Sequence, residues 1–135
     1  MSIQILQPPH LARPSGYSPG VLAVGRHIYV SGQLGWNEHH EFASDRLCDQ
    51  VRDALKNVLM VLRQAQAGPQ HLAKLTWFIV DFQQYQAQLK EIGIAYRETI
   101  GNHYPAMSMV QVAALLEPAA QVEIEAVAVL PEPGK

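Results

Sequence analysis

The order of apolar patterns along this chain predicts an α+β fold: strand, strand, helix, strand, helix, strand, strand, with both helices free to cover one face of a mixed sheet. Three observations carry that expectation. Two segments repeat apolar residues at three- and four-residue spacing, as an amphipathic helix does. Short runs rich in β-branched and aromatic residues lie before, between and after them. The third is the final strand, where Val122, Ile124, Ala126 and Ala128 alternate with Glu123, Glu125, Val127 and Val129, so that its second half is apolar on both sides. A sheet with helices on one face should be polar on the other. The excess apolar residues therefore predict a partner, most simply another copy of the chain.

Taken in order, residues 7–20 hold Pro8, Pro9, Pro14, Pro19, Gly16 and Gly20 and are expected to run irregularly over the surface. Val21–Val24 and His27–Ser31 flank Gly25-Arg26 and read as two strands of a tight hairpin. The polar stretch from Gly35 to Glu41 reads as a loop. From Asp45 to Gln66 the residues Leu47, Val51, Leu55, Val58 and Leu62 share one helical face, with Ser44 as the expected N-cap and Gly68-Pro69 as the stop. Leu75–Val80 has strand composition. A second helix follows on the stripe Phe82, Tyr85, Leu89, Ile92, Tyr96 and Ile100, capped by Asp81 and closed by Gly101 and Pro105. Met107–Ala114 and Gln121–Leu130 complete the set, joined around Glu117-Pro118.

With 135 residues the chain is expected to form one domain (1–135) with a sizeable core. Its charged fraction of 16% is low beside 48% hydrophobic residues, which points again to surface removed from water by self-association. A net charge of −2 and the absence of any Lys/Arg run predict no nucleic-acid partner. No apolar stretch approaches the roughly 18 residues that span a membrane, and Met1-Ser2-Ile3-Gln4 does not open like a signal peptide. A single cysteine, Cys48, allows no internal disulfide. The chain is accordingly expected to be cytoplasmic. Cys48 itself falls near the apolar face of the first helix and reads as a buried, inert thiol. His10, His27, His71 and His103 are dispersed, and His39-His40 is an adjacent pair rather than a ligand spacing, so no metal site is expected.

Several short motifs occur in a fixed order from about Gly16 to Leu130. They are Gly16-Tyr17 with Gly20-Val21, Ile28-Tyr29-Val30-Ser31-Gly32-Gln33, Ala54-Leu55-Lys56-Asn57-Val58, the strand ending in Asp81, Pro105-Ala106, and Val122-Glu123-Ile124-Glu125-Ala126. In this order and spacing the chain resembles the RidA (YjgF) family of small enamine/imine deaminases. The resemblance implies a chorismate-mutase-like sheet with two helices on one face, a barrel-like homotrimer, and a small-molecule pocket in each cleft between subunits. It implies no metal or organic cofactor, because an iminium carbon is already electrophilic. Transferred by motif, the catalytic glutamate falls on Glu123 and the substrate-binding positions on Tyr17, Ser31, Gly32 and Met107, with Met109 one alternate residue beyond. Active members carry Pro-Ala-Arg where this chain has Pro105-Ala106-Met107. In them the arginine grips a substrate carboxylate by a two-pronged charge-assisted bond.

Each of these residues also has a plainer role. Glu123 and Glu125 alternate on a strand as solvating carboxylates do. Ser31 suits a strand end bonding to its own backbone, and Tyr17 suits a loop anchor. Met107 and Met109 suit an apolar wall that accepts flat or apolar ligands. Arg97 and Arg26 are the arginines that could stand in for the missing one, although Arg97, beside Tyr96 on the second helix, equally suits a solvated position. Two functions follow from different classes. One is a hydrolase of an imine, enamine or related C–N bond with an altered substrate range. The other is a non-catalytic ligand-binding or sensor trimer. A hydrolase needs Glu123, whereas a binder tolerates glutamine there.

Overall fold

The computed structural model describes residues 3–133. Six strands and three α-helices follow in the order β1 (Ile3–Leu6), β2 (Gly20–Ala23), β3 (Arg26–Leu34), α1 (Leu47–Arg63), β4 (Leu72–Ile79), α2 (Phe82–Ala87), α3 (Leu89–Thr99), β5 (Ala106–Gln111) and β6 (Val122–Leu130), with a 3-10 turn at Pro69–His71. The fold is α+β, as the sequence predicts. Strands β3, β6, β4 and β5 form the main sheet in that spatial order. β6 runs antiparallel to both neighbours, while β4 and β5 are parallel because the chain crosses over through α2 and α3 between them.

α1 and α3 cover one face of this sheet. The predicted stripe Leu47, Val51, Leu55, Val58 and Leu62 is fully buried, and it packs against Leu72, Leu75, Ile79, Val122, Ile124, Ala126 and Ala128 from β4 and β6. Each such side chain contributes about 1.5–3 kcal/mol of burial, so α1 is held by its packed face rather than by helix propensity. The opposite face has no cover. It presents Tyr29 (74% exposed), Val110, Thr76 and Glu125. Of the two valines expected there, Val127 is half-buried. Val129 is buried at 2%, because the backbone at Gly25 passes against it.

Four expectations need correction. The Val21–Val24/His27–Ser31 hairpin does not form: β2 pairs with β1, a strand to which the sequence reading gave no element, and β3 pairs with β6. Gly25 sits at φ +147°, with the Leu130 carbonyl where a side chain would be, so the chain leaves one sheet for the other instead of turning back. Ser44 is not the N-cap of α1. Its hydroxyl accepts from the Arg46 N–H and donates to Asp49, while the Cys48 N–H in the first turn donates to Gln88 Oε1 at 2.8 Å. That same Gln88 divides the expected second helix into α2 and α3, leaving the helical region at φ −111°, ψ 19°. Strand β5 ends at Gln111 rather than Ala114. Asp81 does cap its helix, accepting from the Gln83 and Gln84 N–H groups at 3.0 and 3.3 Å.

Candidate functional site

An open cleft of about 450 Å³ lies between α3 and the edge strand β5. Met107 pairs with Leu75 and Met109 with Trp77 across the β4–β5 ladder, so both methionines share the helix-facing side of the sheet and form the cleft floor with Trp77. The helical wall consists of Tyr85 from α2 and Leu89, Ile92, Gly93, Tyr96 and Arg97 from α3. Tyr104 closes one end, its ring stacked on Tyr96 at 5.4 Å between centroids. Ser15 and Gly16 form the rim. Gly16 has φ +85°, a conformation natural to glycine, and the turn lays the following residues along β5: Ser18 bridges Ala106, its N–H donates to the Pro105 carbonyl at 3.1 Å, and its hydroxyl to that of Tyr104. Tyr17 is carried beside this rim, 45% exposed.

The electrostatics of the cleft are simple. Burial raises the pKa of Tyr85, and burial with the neighbouring Tyr104 raises that of Tyr96, whose hydroxyl donates to the His103 carbonyl at 2.6 Å. Both phenols therefore stay neutral. Arg97 is the one formally charged residue among those lining the cleft, and none of the ion pairs found among the described residues includes it. Trp77 is 97% buried with its indole N–H unpartnered among the described residues. An unmet donor of this kind costs about 1–3 kcal/mol.

Ser31, Gly32 and Glu123 gather elsewhere. The β3–β6 register slips by one residue between Val30 and Gln33, which leaves Ser31 and Gly32 in a bulge opposite Glu125. A side chain at position 32 would occupy the place of the Glu123 carboxylate, so the glycine is what lets that carboxylate lie against the bulge. Gln33 Nε2 donates to the Ser31 carbonyl at 3.0 Å and lies 3.4 Å from its hydroxyl. Ser31 also borders a shallow hollow on the uncovered sheet face, with Lys74, Thr76 and Glu125.

The candidate residues thus form two groups. Met107, Met109 and the Tyr17 loop belong to the helix-facing side of the β5 edge, whereas Ser31, Gly32 and Glu123 lie at the β3–β6 side of the sheet. β5 and β6 are separated by β4, hence by about 10 Å. Sequence reading missed Tyr85, Tyr96, Tyr104 and Trp77 as site residues, because an aromatic on a helix, strand or loop looks the same whether it packs in a core or walls a cleft. Arg26 begins β3, on the edge of the sheet opposite β5, and so lies away from Met107; Arg97 is in Met107's cleft. Cys48 is buried on α1, as expected. No helix among the described residues is long and apolar enough to cross a membrane.

A four-stranded mixed sheet with helices on one face and a cleft at its parallel edge defines a Rid-type protein, and comparison with known proteins agrees. The model of the family described as Endoribonuclease L-PSP matches residues 10–130, and the chain belongs to this family, whose solved members carry the Rid and YjgF names. Among curated relatives, the human 2-iminobutanoate/2-iminopropanoate deaminase is 33% identical over 114 residues, covering 84% of this chain and 79% of that one. Among solved structures, the Rid-family protein YyfB of Yersinia pestis, described as of unknown function, superposes with a TM-score of 0.85 at 31% identity over 96% of this chain and 100% of that one. E. coli TdcF, solved with bound serine, has a TM-score of 0.68 at 29% identity, covering 94% and 98%.

Proposed function

We propose that this protein hydrolyses a C=N bond, as an imine or enamine deaminase, in a site that two copies of the chain assemble. The observation that carries the reading is the division of the candidate residues. The Met107 cleft and the Glu123–Gly32 bulge lie on different parts of one sheet, so a ligand in the first is out of reach of the second within one chain. A neighbouring copy docked through the uncovered face brings its own Glu123 to the cleft. In a closed ring of three this happens three times. The naming of relatives such as the human protein as 2-iminobutanoate/2-iminopropanoate deaminases supports the reaction type.

In this reading Glu123 orients a water molecule for attack on the C=N carbon. The carbon–oxygen bond forms, the water protons pass to nitrogen, and the carbon–nitrogen bond breaks to release ammonia and a carbonyl product. The bulge holds Ser31 and Gly32 beside the Glu123 carboxylate, so the three act at one place on the sheet. Met107, Met109 and the tyrosines receive the substituent on the imine. With methionine in place of the arginine, short 2-imino acids lose a carboxylate clamp worth about 1.5–3 kcal/mol per charged hydrogen bond, so flat or aromatic imines are the better substrates. The word endoribonuclease in the family description does not suit a chain of net charge −2 whose uncovered face carries Glu125.

A mixing experiment tests both parts. Glu123→Gln removes the water-orienting charge, and Met109→Trp fills the cleft; each protein alone should be nearly inactive. Dissociated and reassembled together, they should recover about a quarter of wild-type turnover, because one pairing in four at a shared interface joins two intact halves. No recovery places the whole site in one chain and overturns the reading. Full activity of Glu123→Gln alone overturns the water-orienting role of Glu123, whereas a wild-type protein that binds ligand in the cleft but hydrolyses no imine is the ligand-binding protein instead.

A further inference from the structure

We propose that Arg97 is the anion-binding residue of the α3–β5 cleft, and that the cleft takes a flat, preferably aromatic ligand carrying a carboxylate. The proposal rests on reading this cleft as the substrate end of the site, but its test does not depend on turnover. Three observations converge on it. The guanidinium lines the cleft without an ion pair among the described residues, and it is the one formally charged group among those lining it. The exposed guanidinium is open to an incoming anion, and a guanidinium matches a carboxylate by two parallel hydrogen bonds.

The second observation is Gly93, one turn before Arg97 on the same helical face. Glycine inside a helix costs about 1 kcal/mol against alanine, and here its backbone is ordinary, with no positive φ that would require it. A Cβ at position 93 would meet a single neighbour, Arg97 Nη1, at 3.5 Å. That is an ordinary contact distance, so alanine would fit, and it shows that the Arg97 guanidinium lies back over the glycine beside the cleft it lines. A larger side chain at 93 would occupy that space. The third observation is the remainder of the wall. Met107 and Met109 below and the stacked Tyr96–Tyr104 pair above suit a planar body rather than a compact polar one. Arg97 projects from the helix wall and not from β5. An acid held by it is therefore set across the cleft from the place a residue-107 arginine would hold one, so a longer acid fits better than a short 2-imino acid.

Benzoate and its neutral isostere benzamide separate charge from shape, and both can be titrated against the wild-type protein by calorimetry or ligand-observed NMR. Benzoate should bind about tenfold or more tightly than benzamide at low salt, and the gap should narrow as salt rises. Arg97→Gln, at an exposed helical position, should fold normally and bring the two affinities to about the same value. Gly93→Leu keeps the charge but displaces it and should lose the same preference, whereas Gly93→Ala should keep it. Benzamide binding as tightly as benzoate, no benzoate binding at all, or an Arg97→Gln protein that still prefers benzoate overturns the proposal. Glu123→Gln should bind benzoate at least as tightly as wild type does, because it removes a carboxylate and leaves the guanidinium. A wild-type protein that prefers benzoate but hydrolyses no imine keeps this proposal and overturns the proposed function, and one that hydrolyses imines without preferring benzoate does the reverse.

Discussion

Met107 faces the cleft from β5 with an uncharged, polarizable thioether, and its nearest ladder partner is the buried Leu75. That placement makes a direct prediction. Met107→Arg supplies a guanidinium at the floor and should raise binding of short 2-imino acids about thirtyfold, the value of roughly 2 kcal/mol on the scale of charged hydrogen bonds. The longer side chain has to fit beside Met109 and Tyr104, so a loss of about 1–3 kcal/mol in stability is expected from overpacking. A coupled assay that generates the imine in situ, run beside urea denaturation, reads both numbers. Wild-type activity already equal to the variant's would mean that the methionine removes nothing. The same scale shows what a single residue leaves out. Glu123 could be named from its motif, but its neighbour across the bulge, Gly32, gains meaning only where the carboxylate lies in the space a side chain would fill.

Among the elements, α2 is the one most dependent on its ends. It has six residues, none of them buried, and its first turn is satisfied by Asp81. Asp81→Ala should cost about 0.5–2 kcal/mol, the ordinary value of an N-cap. Because α2 carries Tyr85, the loss should also loosen one wall of the cleft. Chemical denaturation and the benzoate affinity check the two effects separately, and an unchanged midpoint would show that α2 is held by its tertiary contacts instead. Amphipathic spacing revealed that residues 82–100 are helical, yet it could not reveal the break at Gln88. The break coincides with a long-range bond from the Gln88 side chain to the Cys48 N–H, forty residues away. The same bond explains why Ser44, a good N-cap by composition, leaves capping to another segment.

At the scale of the whole molecule, the proposed assembly runs through the uncovered sheet face. Tyr29 stands 74% exposed beside Val127, Ser31 and Thr76. Light scattering after size exclusion should give three times the 15.0 kDa chain. Tyr29→Asp, which places a charge on the β3 side of that face, should shift the protein to monomers and abolish hydrolysis together. A wild-type protein that is monomeric at micromolar concentration overturns the shared site, and a monomeric but active Tyr29→Asp protein does the same.

The sequence by itself determined the α+β order, the buried stripe of α1, the Asp81 cap and the family, because periodicity, local capping and ordered motifs are properties of neighbouring residues. It also named Glu123, Ser31, Gly32 and Met107 as candidates. The tertiary structure decided what neighbours cannot encode. Strand partners depend on which edges are free, so β2 joined β1 and β3 joined β6 although Gly25 suggested a hairpin between them. The division of the candidates between two parts of the sheet follows from the β3-β6-β4-β5 order. The setting of Arg97 follows from packing α3 on the edge of that sheet: a helical arginine is a solvated charge or a cleft wall according to what lies across from it, and across from it are Met107 and Met109.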